Sequence, residues 1–530
     1  MIVCMEKFFN TAGPVDCQRH YCLPPLERFD LEDVLFLIEQ QKYFVLHAPR
    51  QTGKTSCLLA LRDYLNAGGR YACVYVNIES AQAARENVAG AMRAMLSNLE
   101  REISATLNDQ SLKDRWMTIL ENSGEFQAFH AVLAEWAAQS SKPIVLLLDE
   151  VDALIGDTLI ALLRQLRAGY ANRPQAFPQS IILCGVRDVR DYRIHSGSEK
   201  AVITGGSAFN VKAESLRLGD FSRRETERFY RYHTTETGQE FTSEALDVIW
   251  ALTEGQPWLV NALGYEVTFR VKTLRDRSIT ITADMIEQAK ENIVQRRETH
   301  LDQLADKLKE ARVHNVIAPI LQGAERSENF SEDDISYAYD LGLIKTRPSL
   351  RIANRIYREV IPRELTYGTQ VSITHETQWY VDEEGRLNMP KLLTAFQDFF
   401  RKNIEHWIER FQYKEAGPQL LLQAFLQRIL NGGGRIDREY GLGRNRTDLL
   451  VVWPYDDGVQ ETVIEMKILY GALDTTIRDG LKQTWKYMDA CGTHEGHLLI
   501  FDRHPGRAWE DKIFCRRETY NNTSIAVWGM

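Results

Sequence analysis

One stretch of the chain has the residue types and the spacing that bind a phosphate group. Residues 48–55 read Ala-Pro-Arg-Gln-Thr-Gly-Lys-Thr, which follows the pattern G-x-x-x-x-G-K-[ST] with alanine in place of the first glycine. Backbone N–H groups of such a loop surround the phosphate oxygens. We expect Lys54 to contact the β- and γ-phosphates of ATP and Thr55 to bind Mg²⁺. The candidate nucleotide-binding residues of this stretch are Pro49, Arg50, Gln51, Thr52, Gly53, Lys54, Thr55 and Ser56.

A second stretch supplies carboxylates. The apolar run from Ile144 to Leu148 predicts a buried strand, and Asp149 and Glu150 follow it directly. We expect Asp149 to hold Mg²⁺ and Glu150 to polarise the attacking water, which indicates hydrolysis of ATP in addition to binding. Taken singly, each stretch also fits a simpler explanation: a turn that matches the pattern by chance, or a buried strand with a solvated acidic end.

A third apolar run leads into two arginines. Residues 180–184 predict a strand, and Arg187 and Arg190 follow it. Two interpretations remain open at this point. The arginines either sense the γ-phosphate of the nucleotide or pair with neighbouring aspartates.

The C-terminal part of the chain contains two acidic residues and a lysine that indicate a second site, with a chemistry different from ATP hydrolysis. Asp448 precedes a predicted strand at 449–453, and a second strand ends in Glu465 and Lys467. A hairpin of these strands brings Asp448 beside the other two, and strand alternation puts Glu465 and Lys467 on one face. Two carboxylates bind Mg²⁺, which activates water, while a lysine stabilises the charged transition state. The pattern predicts metal-dependent cleavage of phosphodiester bonds, and a salt-bridged surface hairpin is the alternative.

Basic residues lie near this second set in the sequence. They are candidate contacts to nucleic-acid phosphates, and a solvated charged face is the alternative for each of them. They are Arg435, Arg438, Arg444, Arg446, Lys482 and Lys486.

The elements that must position these residues alternate between strands and helices. Apolar runs at 43–46, 71–78, 144–148 and 180–184 are separated by helical stretches, which is typical of a parallel sheet covered by helices. The following region, 223–297, is wholly helical in pattern. Residues 312–362 have the element order of a winged helix, and the last part of the chain reads helix, two strands, helix and strand.

Length, charge and cysteine usage narrow the class of protein. A chain of 530 residues with 44% hydrophobic residues is a multidomain globular protein, and this composition excludes a mainly disordered or fibrous chain. The net charge of −9 argues against a protein that coats DNA, so a nucleic-acid contact must be a local patch. We expect a cytoplasmic protein with reduced thiols and no membrane segment, because no secretory signal, zinc-site spacing or long apolar run is evident.

The region 8–365 resembles the AAA-like, STAND-related P-loop ATPases of prokaryotes. The resemblance is carried by the phosphate loop with Ser56, by Leu148-Asp149-Glu150-Val151-Asp152, by Ala208-Phe209-Asn210 and by Gly255-Gln256-Pro257-Trp258. It implies that Pro257 packs near the nucleotide and that a winged helix follows a helical lid. It also implies an ATP-driven switch or motor that forms homo-oligomers.

The C-terminal region resembles the PD-(D/E)XK nucleases, the restriction-endonuclease-like superfamily, in its RecB-like branch. Asp448, Glu465 and Lys467 occupy the motif positions, and Gln483 and Tyr487 match a Gln-x-x-x-Tyr motif on the next helix. The resemblance implies that Gln483 and Tyr487 contact the DNA backbone beside the metal. It also implies that Glu415 completes the metal site.

The sequence therefore predicts a multidomain α/β protein with a P-loop NTPase parallel sheet, a helical lid, a winged helix and a C-terminal α/β restriction-endonuclease-like domain. The expected boundaries are 1–220 for the ATPase core, 221–305 for the lid, 306–366 for the winged helix, 367–410 for a linker and helical region, and 411–530 for the nuclease domain.

The function we expect from this architecture is an ATP-hydrolysing switch that licenses a Mg²⁺-dependent nuclease acting on nucleic acid, with DNA as the expected substrate. The architecture suggests defence against phage or mobile elements, with a protein or phage-derived trigger. Two alternatives stay open. One is a regulatory ATPase whose C-terminal domain binds DNA or a partner without cutting, and the other is a DNA-repair or recombination nuclease.

Overall fold

The computed structural model describes residues 6–188, 193–196, 201–204, 209–296, 299–321, 331–361, 380–411, 422, 425–426, 435–438, 449–455, 458–502, 504 and 506–530. The chain forms two compact units. The first comprises Met1–His300 and Ile335–Lys345, and the second comprises Leu301–Asp334 and Thr346–Met530. No helix of the described residues is long and apolar enough to cross a membrane.

The first unit is built on a parallel sheet of five strands. The strands of the unit are β1 Tyr43–His47, β2 Ala72–Asn77, β3 Ile144–Asp149, β4 Ser180–Gly185, β5 Arg193–Ser196, β6 Ala201–Thr204 and β7 Lys212–Arg217. The strand order in the sheet is β2-β3-β4-β1-β7, and every neighbouring pair is parallel. The strands β5 and β6 pair as a separate antiparallel ribbon.

Both faces of this sheet are buried, which explains why the central strands β1, β3 and β4 are almost continuously apolar, whereas the edge strand β7 contains charged residues. Along β1, Val45 packs into the hydrophobic cluster on one face, while Phe44 and Leu46 pack into the cluster on the other. The helices that cover the sheet are α1 Leu31–Glu39, α2 Lys54–Ala67, α3 Val88–Leu107, α4 Arg115–Ser123, α5 Ala128–Gln139 and α6 Gly156–Ala168. Short 3-10 helices lie at Pro25–Arg28, Glu79–Ala84, Val151–Ala153 and Gly169–Asn172.

A helical region follows the sheet, as the sequence pattern predicts. Its first helix starts at a capping box in which the Ser222 side chain accepts from the backbone N–H of Glu225 and the Glu225 side chain accepts from that of Ser222. The helices are α7 Arg223–Thr237, α8 Ser243–Thr253, α9 Pro257–Tyr265 and α10 Ala283–Arg296, with a π-helix at Glu266–Arg270 and a 3-10 helix at Lys272–Arg275.

The next stretch has the element order predicted for a winged helix. The elements are α11 Thr299–Leu308, α12 Ala311–Leu321, α13 Glu332–Asp340, the two-residue strands β8 Ile344–Lys345 and β9 Arg351–Ile352, and a helix α14 over 355–361. The division into compact units assigns 335–345 to the first unit. The domain boundary predicted between residues 366 and 367 lies outside the described residues.

The second unit contains a mixed sheet of six strands. Its elements are α15 Met389–Phe411, β10 Arg435–Arg438, β11 Leu449–Tyr455, β12 Gly458–Ile468, α16 Leu473–Cys491, β13 Glu495–Phe501, α17 Trp509–Lys512, β14 Phe514–Tyr520 and β15 Thr523–Gly529. The strand order is β10-β11-β12-β13-β15-β14. The hairpin β11–β12 is antiparallel, and α16 connects β12 to the parallel strand β13. Residues of α15 and α16 belong to two different hydrophobic clusters of this sheet.

Candidate functional site

The phosphate loop lies between β1 and α2, at the end of a buried strand. Gly53 precedes the helix with φ +94°, a left-handed conformation that glycine adopts without strain, and α2 begins at Lys54. The side chain of Ala48 is buried in the hydrophobic cluster beneath the loop. The alanine that replaces the first glycine of the pattern is therefore accommodated by packing. Backbone N–H groups at the start of α2 form an anion-binding terminus.

Lys54 lies inside the curve of this loop. Its ammonium Nζ donates hydrogen bonds to the carbonyl oxygens of Ala48 at 2.9 Å and Pro49 at 3.0 Å, and the side chain is buried. The loop is closed on itself by Thr52, whose hydroxyl donates to the same Pro49 carbonyl at 2.8 Å. The fold thus holds a positive charge where the pattern places the β- and γ-phosphates.

The two carboxylates predicted at the end of β3 lie next to the loop. Asp149 is fully buried, and its Oδ2 accepts a hydrogen bond from the Thr55 hydroxyl at 2.8 Å. Its Oδ1 accepts from the backbone N–H of Glu150 at 2.9 Å. A carboxylate and a hydroxyl in contact are the hard oxygen ligands that Mg²⁺ takes together with waters and nucleotide phosphates. Among the described residues there is no cluster of three or more His, Cys, Asp or Glu that could hold a metal by itself.

Glu150 is half-buried directly after β3. Its backbone is left-handed, with φ 61°. Burial raises the pKa of its carboxyl, the charges of Asp152 and Asp149 raise this pKa further, and the charge of Lys54 opposes them. An ionised glutamate with a raised pKa is a better proton acceptor than an ordinary glutamate.

The arginine that follows β4 pairs with an aspartate. The Arg187 guanidinium lies 3.7 Å from the Asp340 carboxylate, and its plane lies over the Tyr337 ring at 4.6 Å. His47, the last residue of β1, lies 3.9 Å from the same carboxylate. Of the two interpretations left open by the sequence, the structure shows the ion pair for Arg187, while Arg190 lies outside the described residues.

A pocket opens beside the phosphate loop, and its volume is about 690 Å³ when the space open to solvent is counted. Gln51, Thr52 and Gly53 form one side of it, and Pro257 and Trp258 form another. Pro257 was predicted to pack near the nucleotide, and it lies in this wall at the start of α9.

The remaining wall is a part of the chain that the sequence analysis missed, residues 10–28, which we call the N-terminal segment. The backbone N–H of Val15 donates to the Ser56 hydroxyl at 2.9 Å, and the Trp258 indole donates to the carbonyl of Thr11 at 2.9 Å. The segment thus connects α2 to α9. No sequence signal identifies it, because its role depends on contacts between residues far apart in the chain.

Arg28 closes the N-terminal segment against the loop. Its guanidinium donates to the carbonyls of Thr52 at 3.4 Å and Gly219 at 2.6 Å, and it lies over the Phe221 ring at 4.4 Å. Burial lowers the pKa of this guanidinium, although it stays charged. Arg28 therefore places a second fixed cation beside Gly53.

The same segment corrects one expectation. Cys17 and Cys22 were predicted to be reduced, whereas the structure joins them in a disulfide. The two cysteines are only five residues apart, and the turn between them brings their side chains together. Cys57, Cys73 and Cys184 are free and buried, in agreement with the expectation for core thiols.

In the second unit, Glu465 and Lys467 lie on one face of β12, as alternation predicts. The Lys467 ammonium donates to Glu465 Oε1 at 2.6 Å, and Glu465 is only 2% exposed. Val463 on the same face packs in the cluster that includes α16. The contact joins the glutamate and the lysine of the predicted nuclease motif.

The helix α16 carries the other two predicted residues. Tyr487 is buried in the hydrophobic cluster between α16 and the sheet, whereas Gln483 is half-buried. The packing role of Tyr487 is explicit in the structure, and a DNA contact by either residue stays a prediction. Asp448 and Glu415 lie outside the described residues, as do Arg444 and Arg446.

Comparison with known proteins identifies the first part of the chain. The family described as AAA-like domain matches residues 32–358. No curated protein matches the chain. Among solved structures, the chain is similar to the Walker-type ATPase Paby2304 of Pyrococcus abyssi, with 15% identity over 67% of this chain and 99% of that one and a TM-score of 0.45.

Two further solved structures are similar at the same low level. The ORC2 protein of Aeropyrum pernix, in ADPNP-ADP complexes, is 13% identical over 64% of this chain and 92% of that one, with a TM-score of 0.37. RuvB of Thermotoga maritima is 14% identical over 63% of this chain and 96% of that one, with a TM-score of 0.34. The family match covers more than half of the residues and contains the phosphate loop, both carboxylates and the helical region. The chain belongs to the AAA-like domain family of P-loop ATPases.

Proposed function

We propose that this protein is an ATP-hydrolysing switch that controls a Mg²⁺-dependent nuclease in its C-terminal part. The observation that carries the first half is the contact between Thr55 and Asp149, which joins the phosphate loop to the acidic end of β3 beside Glu150. The observation that carries the second half is the contact between Lys467 and a buried Glu465.

For ATP hydrolysis, each residue of the site has a distinct task. The Lys54 ammonium binds the β- and γ-phosphates, while Thr55 and Asp149 hold the metal. Mg²⁺, held by these two residues, would neutralise the negative charge of the phosphates. Glu150 accepts the proton of a water whose oxygen bonds to the γ-phosphorus as the bond to the bridging oxygen breaks, giving ADP and phosphate.

The test of this half is the variant Glu150→Gln. The amide has the same shape but cannot accept the proton, so we expect ATP binding to persist and the hydrolysis rate to fall by about 100-fold or more. Glu79→Gln is the matched control, because the exposed Glu79 also acts on the Glu150 charge and should leave the rate nearly unchanged. Equal hydrolysis by Glu150→Gln and the wild type would remove Glu150 from the mechanism.

For the nuclease half, the Glu465 carboxylate would hold Mg²⁺ together with Asp448, and Lys467 would orient the attacking water or stabilise the phosphorane charge. The described register of the hairpin supports this pairing, because its last pair joins Leu449 to Ile464, the neighbours in sequence of Asp448 and Glu465. DNA is the proposed substrate, and Gln483 is proposed to contact its backbone.

The test is cleavage of linear, circular and single-stranded DNA by the purified protein with Mg²⁺. We expect cutting that chelation abolishes and that Lys467→Ala reduces by about 100-fold. Lys391→Ala, a change of an exposed lysine in the same unit, is the control and should cut like the wild type. Cutting by Lys467→Ala at the wild-type rate would assign any nuclease activity to another site.

One observation favours a second candidate for this domain. Tyr487 is part of the hydrophobic core, and Lys467 is engaged with Glu465, so the same residues suit a fold that binds DNA or a partner without cutting. DNA binding without cleavage under every metal condition would support this candidate. The same result would argue against both nuclease interpretations, the defence nuclease and the nuclease of repair or recombination.

The biological setting we propose is defence against phage or mobile DNA. The protein would act as a homo-oligomer that a protein or phage-derived trigger activates. This follows from joining an ATP switch to a nuclease. Cells that carry the wild-type gene should resist infection better than cells that carry Lys467→Ala. If phage infect the two kinds of cell equally well, the proposed role of the nuclease in defence is wrong.

A further inference from the structure

We propose that Tyr75 is a positioning residue that orients the Asp149 carboxylate for Mg²⁺-nucleotide binding; this rests on the ATP site proposed above. The Tyr75 hydroxyl donates a hydrogen bond to Asp149 Oδ2 at 2.9 Å. The Thr55 hydroxyl donates to the same oxygen at 2.8 Å. No sequence motif of the phosphate site includes a residue of β2.

The sheet places the phenol at this point. The strand β2 is the parallel neighbour of β3, and Tyr75 pairs with Leu147 while Asn77 pairs with Asp149. Leu147 and Asp149 are two residues apart on β3 and face the same side of the sheet. Tyr75 lies opposite Leu147, and its side chain is long enough to reach the Asp149 carboxylate. The Tyr75 ring packs against the hydrophobic cluster that contains Leu147. Packing therefore fixes the ring and directs its hydroxyl.

The carboxylate is held at both oxygens. Oδ1 accepts from the backbone N–H of Glu150 at 2.9 Å, and Oδ2 accepts from Tyr75 and Thr55. Asp149 is fully buried, where an ionised carboxylate is stable only with such donors. The Tyr75 hydroxyl is the donor in this contact, because an ionised carboxylate oxygen can only accept.

The role of Tyr75 follows from what changes when Mg²⁺ binds. The Thr55 oxygen would then be a metal ligand, whereas Tyr75 would hold Oδ2 by its hydrogen bond without being a ligand itself. Residues that hold a metal ligand from outside contribute about 10- to 100-fold in metal affinity. Loss of the hydroxyl lets the Asp149 carboxylate rotate and weakens the site without touching the nucleotide.

The experiment is a titration of a fluorescent ATP analogue against the full chain, with excess chelator and with a series of Mg²⁺ concentrations. For Tyr75→Phe, which keeps the ring, we expect an unchanged affinity in chelator and a half-saturating Mg²⁺ concentration raised about tenfold or more. Nucleotide binding in chelator also shows that the variant is folded. Tyr64→Phe, on the exposed side of α2, is the matched control and should titrate like the wild type.

A half-saturating Mg²⁺ concentration of Tyr75→Phe within twofold of the wild type would overturn the positioning role, as would an equal loss of affinity with and without Mg²⁺. Asp149→Asn separates this failure from failure of the proposed ATP site. If Asp149→Asn loses the Mg²⁺ dependence and Tyr75→Phe does not, only the inference about Tyr75 is wrong. If Asp149→Asn keeps the dependence, the metal assignment of the site itself is wrong.

Discussion

At the scale of single residues, the phosphate site is the part that the sequence predicts best. Lys54, Thr55, Asp149 and Glu150 occur in two short stretches whose chemistry is set by local order: a loop before a helix, and acids after a buried strand. Tyr75 and Arg28 are not predictable in this way. Each reaches the site by packing between segments that are distant in the sequence, and neither belongs to a local pattern.

The pKa of Glu150 gives a prediction at this scale. As the proposed base, Glu150 would act only when ionised, so we expect hydrolysis to fall as the pH drops through its pKa. The raised pKa places this fall at a higher pH than for an ordinary glutamate. Asp152→Asn removes the neighbouring negative charge and lowers the pKa of Glu150. We expect the fall of the hydrolysis rate at acid pH to move to lower pH, because the pKa of Glu150 is then raised less.

Asp152→Asn is a mild change in other respects, because the asparagine keeps the Oδ1 that accepts from the backbone N–H of Val186 at 3.2 Å. Glu79→Gln should shift this fall less, since the Glu79 charge raises the same pKa least. The measurement is the initial rate of ATP hydrolysis across the acid pH range. If the hydrolysis rate of Asp152→Asn falls at the same acid pH as that of the wild type, a group other than Glu150 controls this fall.

At the scale of elements, the central strands and helices are predictable because their hydrophobic patterns in the sequence are clear. The apolar runs predicted for β1, β3 and β4 end within one residue of the observed strands, and the helix predicted after the two C-terminal strands is present as α16. The hairpin β14–β15 was missed, although Asn521 and Asn522 at its turn have φ 46° and 61°, the positive values that asparagine tolerates in a two-residue turn. The pair Asn-Asn was the available signal.

The turn before α9 provides an element-scale prediction. Gly255 has φ +81°, and a Cβ on it would lie 1.9 Å from the carbonyl oxygen of Phe221. Gly255→Ala should therefore lower the free energy of unfolding of the first unit by about 3 kcal/mol or more, through left-handed strain and the backbone clash together. Chemical denaturation followed by circular dichroism measures this.

Gly238→Ala is the matched control, because Gly238 has φ +77° and nothing within 4 Å of a Cβ. It should cost about 1 kcal/mol from the backbone alone. If the two variants are destabilised equally, the backbone at Phe221 moves away from the new Cβ at no cost in free energy.

At the scale of the whole molecule, composition and length predict several domains but not how the chain divides. The stretch 335–345 joins the first unit, although it follows 301–334 of the second. Asp340 in this stretch contacts Arg187 and His47. Such a contact depends on how the chain folds back on itself, and no local pattern contains it.

The N-terminal segment gives a prediction for the ligand-bound molecule. Because residues 10–28 form one wall of the pocket, ATP with Mg²⁺ should slow amide hydrogen exchange both there and in the phosphate loop, 49–56. Mass spectrometry of exchanged peptides measures it, with Lys54→Ala as the control that binds nucleotide weakly. Protection confined to 49–56 would place the base of the nucleotide elsewhere.

The coupling of the two sites is the central claim of this account. It is tested most directly by the rate of DNA cleavage with Mg²⁺ and saturating ATP, compared between the wild type and Lys54→Ala, with the exposed Lys142→Ala as the control. We predict that Lys54→Ala changes the cleavage rate by about tenfold or more, in line with a typical coupling free energy of 1–3 kcal/mol, while Lys142→Ala cuts like the wild type. Cleavage by Lys54→Ala at the wild-type rate would contradict the switch.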